Sequence, residues 1–256
     1  MKRKVERIAK ELAGRLSEWE ITDTIALSES AATEIYDPYF FLSLDLYYRG
    51  EIPDAVTRNK LFADAGAFES SPFNKKDRCF IEGLPVRVEY KDIERIDRIL
   101  SGEQGESWSY RPPGTYMFYR IERGNILFQR SDWIDKTREN LKNLSDSFWG
   151  FISQTTQNAM EHYLEDLSAA VVQNDKFFFL VSSSGFIKSI CSLLFIINRS
   201  FEPSTRRFYE AVKELSQLPD NFRGRFESFL RNDEEFSPAR KREVAELLAK
   251  SVIAMA

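Results

Sequence analysis

Histidine, cysteine and surplus charge are what this sequence has least of. One histidine, His162, stands among 256 residues, so a histidine-built zinc site, a Ser-His-Asp triad or a Cys-His pair would each have to use it. It lies in the run 159–167, which reads as helix, where a structural or exposed place is the plainer assignment. The two cysteines, Cys79 and Cys191, form neither a disulfide framework nor a closely spaced zinc-binding pair. Free buried thiols in a reducing cytosol are expected. With 36 basic against 40 acidic residues the formal net charge is only −4, and nothing advertises generic binding to nucleic acid. Residues 1–16 carry charges throughout and lack the apolar centre of a secretory signal. The longest apolar stretch, residues 177–197, is broken by Ser182-Ser183-Ser184-Gly185 and by Lys188, which argues against a membrane span. A cytoplasmic protein with no membrane association is expected.

What the chain does have is apolar and aromatic material: 43% of residues are hydrophobic and 21 are phenylalanine, enough for one large core or two ordinary ones. Val5, Ile8, Leu12 and Leu16 step along one face of a helix over 2–18. A first strand is expected over 21–28 and a loop over 28–37, with Asp37-Pro38 as a turn. Leu42, Leu44 and Leu46 then alternate with Ser43, Asp45 and Tyr47, the period of a strand with two unlike faces. A helix follows over 55–65, carrying Arg58, and two strands over 78–81 and 84–90 flank the Gly83 turn. In the second of these, Val86, Val88 and Tyr90 share one face, Arg87 and Glu89 the other. Ile93, Ile96 and Leu100 mark a short helix with Asp92 as its cap. Residues 101–114, rich in Gly, Ser and Pro, read as a linker or flexible loop. A short element over 116–121 and a strand over 126–128 surround Arg123-Gly124-Asn125. From Ser131 only helical patterns remain: to about 144, over 146–172, the stripe Phe186, Ile187, Ile190, Leu193, Leu194, Ile197, a helix begun by Pro203, and two more over 222–230 and 238–254. Residues 177–180 fit helix or extended chain.

Asp45 needs an explanation, because a charge in mid-strand is uncommon on a half-buried face. An exposed sheet edge or a local salt bridge would explain it, and so would a carboxylate held rigidly for a metal. Glu89 poses the same choice, with an Arg87–Glu89 pair on a solvated face as the simple reading. Arg206 and Arg207 follow Pro203 and could fork onto a phosphate; solvated arginines on a Pro-started helix are the alternative.

A strand, a small-residue loop around Ser30-Ala31-Ala32, and a second strand bearing the acid Asp45 resemble the core of the nucleotidyltransferase superfamily, which includes the minimal and aminoglycoside-modifying nucleotidyltransferases. The resemblance implies an α+β fold: a mixed sheet flanked by helices over residues 1–130, then a helical bundle over 131–256. It implies that Ser28 and Ser30 lie near triphosphate oxygens, that Asp45 and Glu89 are the catalytic acids, and that both bind Mg2+. The run Asn198-Arg199-Ser200-Phe201-Glu202-Pro203-Ser204-Thr205-Arg206 resembles a segment that such proteins present to the nucleotide, so Asn198 and Arg206 are implied nucleotide contacts. The reaction implied is transfer of a nucleoside monophosphate from an NTP to a small-molecule or protein acceptor. Two positions depart from the pattern. Glu29 stands at the loop glycine, where a carboxylate repels triphosphate, and Ser43 stands at the first strand acid. They point to the alternative, a catalytically degenerate protein of this fold that serves as a ligand-binding, regulatory or antitoxin-like module with a protein partner. The chain is not itself the RNA-cutting partner of such antitoxins, since no arginine stands at that motif's distance before His162.

Overall fold

In the computed structural model, residues 1–28, 36–37, 39–62, 65–71, 75–101, 114–231 and 236–256 are described. The apolar stripe of the first helix, α1 (Lys2–Ser17), buries Val5, Ile8, Leu12 and Leu16 in a cluster with Leu42, Leu44 and Leu46 of β2 (Leu42–Tyr48) and Val86 and Val88 of β5 (Leu84–Asp92). Each such side chain contributes roughly 1.5–3 kcal/mol on leaving water. The other elements of this unit are β1 (Thr22–Leu27), α2 (Ala55–Leu61), β3 (Gly66–Ser71), β4 (Lys76–Ile81), α3 (Ile93–Leu100), the second half of α4 (Tyr116–Arg123), β6 (Asn125–Gln129) and α5 (Trp133–Lys142). Among the described residues they form a six-stranded sheet in the order β3-β4-β5-β2-β1-β6.

That order decides the surroundings of β2. It pairs antiparallel with β1 on one side and parallel with β5 on the other, and all seven of its residues are buried. It is therefore neither half-buried nor an edge, and an exposed edge does not account for Asp45. Parallel neighbours need a long crossover, and α2, β3 and β4 fill it. β3 was not expected: Gly-Ala-Phe-Glu-Ser-Ser has no two-residue alternation, and the strand lies at the end of the sheet. The β4–β5 hairpin closes on Glu82 and Gly83, both with positive φ, the conformation of a tight two-residue turn. Arg7 of α1 holds Glu82 at 2.7 Å. Arg58 and Asp77 form a buried pair at 2.9 Å, and the Tyr90 hydroxyl donates to Asp77 at 2.6 Å. Both thiols are buried; burial and Asp77 push Cys79 up to about 11.

The chain does not divide at a single point near residue 130. One unit comprises Met1–Trp108 and Arg120–Asn143, the other Ser109–Tyr119 and Leu144–Ala256. Helix α5, whose pattern looked like the start of the bundle, belongs with the sheet: Trp133 packs on Tyr47 at 5.3 Å, and its indole N–H donates to Asp97 at 2.8 Å.

The second unit is helical: α6 (Asp146–Gln173), α7 (Lys176–Ile197), a 3-10 turn (Thr205–Arg207), α8 (Phe208–Lys213), α9 (Phe222–Leu230) and α10 (Pro238–Ile253). Asn174 in the left-handed region ends α6, and Asp175 caps α7 by accepting from the Phe178 N–H at 2.9 Å, so two residues reverse the chain. Pro203 does not start a helix; the chain turns helical at Thr205, behind Ser204. The serine-glycine run does not interrupt α7, which is continuous for 22 residues. By length and composition α7 is apolar enough to cross a membrane, with mean hydropathy 1.9 over its most apolar 18-residue stretch, while 56% of that stretch is buried. Met160, Phe186, Ile190, Leu194, Phe226 and Leu248 share its core.

Gly185 explains part of the close packing of α6 and α7, since a methyl there would run into the Tyr163 ring. Gly185→Ala is expected to destabilise the protein by about 1–3 kcal/mol, despite the better helix propensity of alanine. At Gly150, where a methyl meets nothing within 4 Å, the same change is expected to stabilise by up to ~1 kcal/mol. Urea denaturation of the two variants checks both signs.

Candidate functional site

The parallel pairing of β2 with β5 sets Asp45 directly beside Glu89, Ser43 beside Arg87, and Tyr47 beside Lys91. The leucine faces go to α1, so these six side chains share the opposite face. Asp45 is 1% exposed and Ser43 fully buried. Into this face α4 projects Arg120, itself 3% exposed. Its Nε donates to Asp45 Oδ2 at 2.7 Å, and Nη2 lies 2.7 Å from Asp45 Oδ1. Nη1 donates to Glu89 Oε2 at 3.1 Å, and Nη2 to the Ser43 hydroxyl at 3.1 Å. One planar guanidinium thus bridges both acids and the serine, the forked geometry that arginine supplies and lysine does not.

Three further cations close around Glu89. Lys91 Nζ is 2.6 Å from Oε2 and 3.9 Å from Asp45 Oδ1. Arg87 Nε is 3.0 Å from Oε1, with its guanidinium 4.0 Å over the Phe41 ring, and Lys76 Nζ is 3.9 Å from Oε1. Burial alone would push the Glu89 carboxyl up; Arg120, Lys91 and Arg87 more than offset it and hold the group well below the usual carboxylate range. Burial, with the Asp45 charge beside it, pushes the Tyr47 hydroxyl well above its ordinary value.

The position of Arg120 is itself braced. Arg138 of α5 donates to the carbonyls of Ile121 at 2.9 Å and Gly124 at 2.5 Å, which satisfies the end of α4. A side chain at Gly124 would meet the Arg120 carbonyl and the Ala26 methyl, so the turn from α4 into β6 closes only around glycine.

The residues present do not fit a divalent cation. Magnesium needs oxygen lone pairs and near-octahedral space. Here every carboxylate oxygen of Asp45 and Glu89 lies within 4 Å of a side-chain cation. Among the described residues no three acid, histidine or cysteine side chains gather as a metal group.

The other implied site residues fall elsewhere. Ser28 follows β1, and its N–H donates to the Ser43 carbonyl at 2.9 Å; Ser30 and Glu29 lie outside the described residues. Asn198 caps α7: its amide nitrogen donates to Leu194 and Gln217 carbonyls at 2.8 Å, and its oxygen accepts from the Gln217 N–H at 2.8 Å and the Ser216 hydroxyl at 3.1 Å. That is a structural role which uses both ends of the amide. Arg206 is exposed on the 3-10 turn. His162 is exposed on α6, 3.5 Å from Asp166 one turn on. Arg120 was not anticipated. Its signal was an arginine between Phe118 and Ile121, each 1% exposed, within the apolar stripe of a helix.

Among solved structures, a nucleotidyltransferase-like protein from Exiguobacterium sibiricum 255-15 is similar over 99% of this chain and 74% of its own length, with a TM-score of 0.51 and 11% sequence identity. No protein-family model and no curated protein matches the sequence. The chain has a nucleotidyltransferase-like fold, α+β, with a mixed six-stranded sheet followed by a helical part. At that identity the likeness extends to the fold and assigns no residue a role.

Removing Arg120 would leave two carboxylates short of their shared partner, and Arg120→Met is expected to cost about 3–5 kcal/mol. The low value of Glu89 gives a pH signature. A carboxyl depressed below its ordinary 4.5 contributes stability that is complete above that value and lost as pH falls through the depressed one. The stability gap between the protein and Glu89→Gln should therefore stay constant from pH 7 to about pH 5 and shrink at lower pH. Urea titrations across that range check it, and a gap that widened with acid would contradict the ion cluster.

Proposed function

We propose that this chain is a nucleotidyltransferase-fold protein that has given up metal-dependent transfer for binding. Its ligand, on this reading, is a nucleotide whose phosphates are met by side-chain cations instead of magnesium. The observation that carries the reading is Arg120 bridging Asp45 and Glu89, where the resemblance expects a metal. Four cations face two carboxylates there, which leaves surplus positive charge. Lys76, Arg87 and Lys91 keep 23%, 21% and 24% of their side chains open to solvent, so an anion has cations to approach. Ser43 in place of the first strand acid points the same way, because one carboxylate fewer weakens a magnesium site.

Transfer of a nucleoside monophosphate remains the second reading, favoured by the direct pairing of Asp45 with Glu89. It would require Arg120 to leave Asp45 and Glu89, so that the two acids could hold a magnesium ion whose contribution would be to neutralise charge on the phosphates. The two readings separate in a melting experiment with ATP, GTP, CTP and UTP, each with and without magnesium. Binding to the native state raises the melting temperature by mass action. Under the binding reading the shift does not need magnesium and weakens with salt. Lys91→Met, which removes one of the partly open cations beside Glu89, should then weaken that shift. A shift in the unaltered protein that appears only with magnesium and vanishes in Asp45→Ala would instead support transfer. No shift with any triphosphate would remove the nucleotide from both readings.

A further inference from the structure

The helical unit contains a cavity of about 570 Å³, within the range that takes a small organic ligand. It lies between α6 and α7 and reaches Thr115 and Glu202. Phe151, Ile152 and Ile196 supply apolar wall, and Thr155, Asn158 and Ser189 supply polar wall. Small side chains on α7 leave the space: Gly185, Ser189 and Ser192 line it at the spacing of one helix face.

Its charges are unusual for a helical core. Among the described lining residues Glu202 is the only acid and Lys188 the only base. Glu202 is 3% exposed, whereas Lys188 is exposed. The carboxylate accepts from the Ser192 hydroxyl and the Thr115 N–H, and the Glu202 N–H donates to Thr115 Oγ1 at 2.8 Å. Gly114, at φ +59°, is where a side chain would collide with that carboxylate, so the backbone is shaped around the acid. Burial pushes the Glu202 carboxyl above its ordinary value despite Ser192, Lys188 and Thr115, a sign that these partners do not fully replace the water it has lost. Helix packing alone does not need a carboxylate at this depth; glutamine would accept the same two hydrogen bonds without the charge.

We propose that this cavity binds a small zwitterion of about dipeptide size, with its ammonium on Glu202, its carboxylate on Lys188 and an apolar side chain against Phe151, Ile152 and Ile196. The inference does not rest on the nucleotide reading, which concerns residues of the other unit.

The test is a melting and calorimetric titration of the full chain with the free amino acids and leucyl-leucine, each at up to about 10 mM, and with the N-acetyl and C-amide forms of any that bind. At least one zwitterion should raise the melting temperature, and both capped forms should bind roughly tenfold more weakly or worse. Glu202→Gln should melt no lower than the parent at pH 7, because a raised carboxyl value means that ionisation costs stability there. It should also lose discrimination against the acetylated form. Lys188→Met, a change at an exposed position, should lose discrimination against the amide and keeps the test valid if Glu202→Gln folds poorly. The proposal is overturned if no compound binds, or if binding is indifferent to both caps and both substitutions.

Discussion

Two carboxylates side by side on neighbouring buried strands repel each other, and everything around them answers to that. Paired strands lie about 4.8 Å apart, and at an effective dielectric near 20 two unit charges at ~5 Å oppose one another by about 3 kcal/mol. Loss of hydration adds to this, since neither acid is on the surface. The register that sets Asp45 beside Glu89 can persist with both acids ionised only when positive charge stands between them. In this chain that charge is a side chain, Arg120, and its placement explains why α4 ends on a glycine turn and why Arg138 is committed to the carbonyls at that end.

A guanidinium and a magnesium ion both neutralise carboxylates, but they differ chemically. Magnesium keeps exchangeable positions for water and phosphate oxygens and polarises what it holds. The Arg120 guanidinium, with Nε, Nη1 and Nη2 all directed at Asp45, Glu89 and Ser43, is a fixed plane of donors with no Lewis acidity. Ser43 fits this arrangement, because a hydroxyl accepts from the guanidinium without a third negative charge. The neutral hydroxyl of Ser43 and the Arg120 guanidinium thus fit one another.

The helical unit shows the same principle with the opposite balance. Glu202 is buried with hydrogen bonds that only partly offset its desolvation, whereas Glu89 is buried among cations that more than offset it. Two glutamates of similar burial therefore move in opposite directions, one easier and one harder to ionise than in water. What differs is the sign and number of the neighbouring charges.

Much of the architecture was legible in the chain itself. Leucines at alternate positions of 42–46 fixed which face of β2 is apolar, and the stripe Val5, Ile8, Leu12, Leu16 fixed the helix that covers it, because both signals are local periodicities. The nucleotidyltransferase resemblance brought Asp45 beside Glu89, which periodicity could not do. The edge strand β3, without alternation, was not legible, nor was the continuity of α7 through serines and a glycine that Tyr163 packs against. Asp45 and Glu89 were recognisable as charges needing partners, but their partner stands 75 and 31 residues away in sequence. Sequence thus determined the elements and the demand for a counter-charge. Tertiary structure decided that a guanidinium meets it, because the partner of a buried charge is set by which chain segments meet in space.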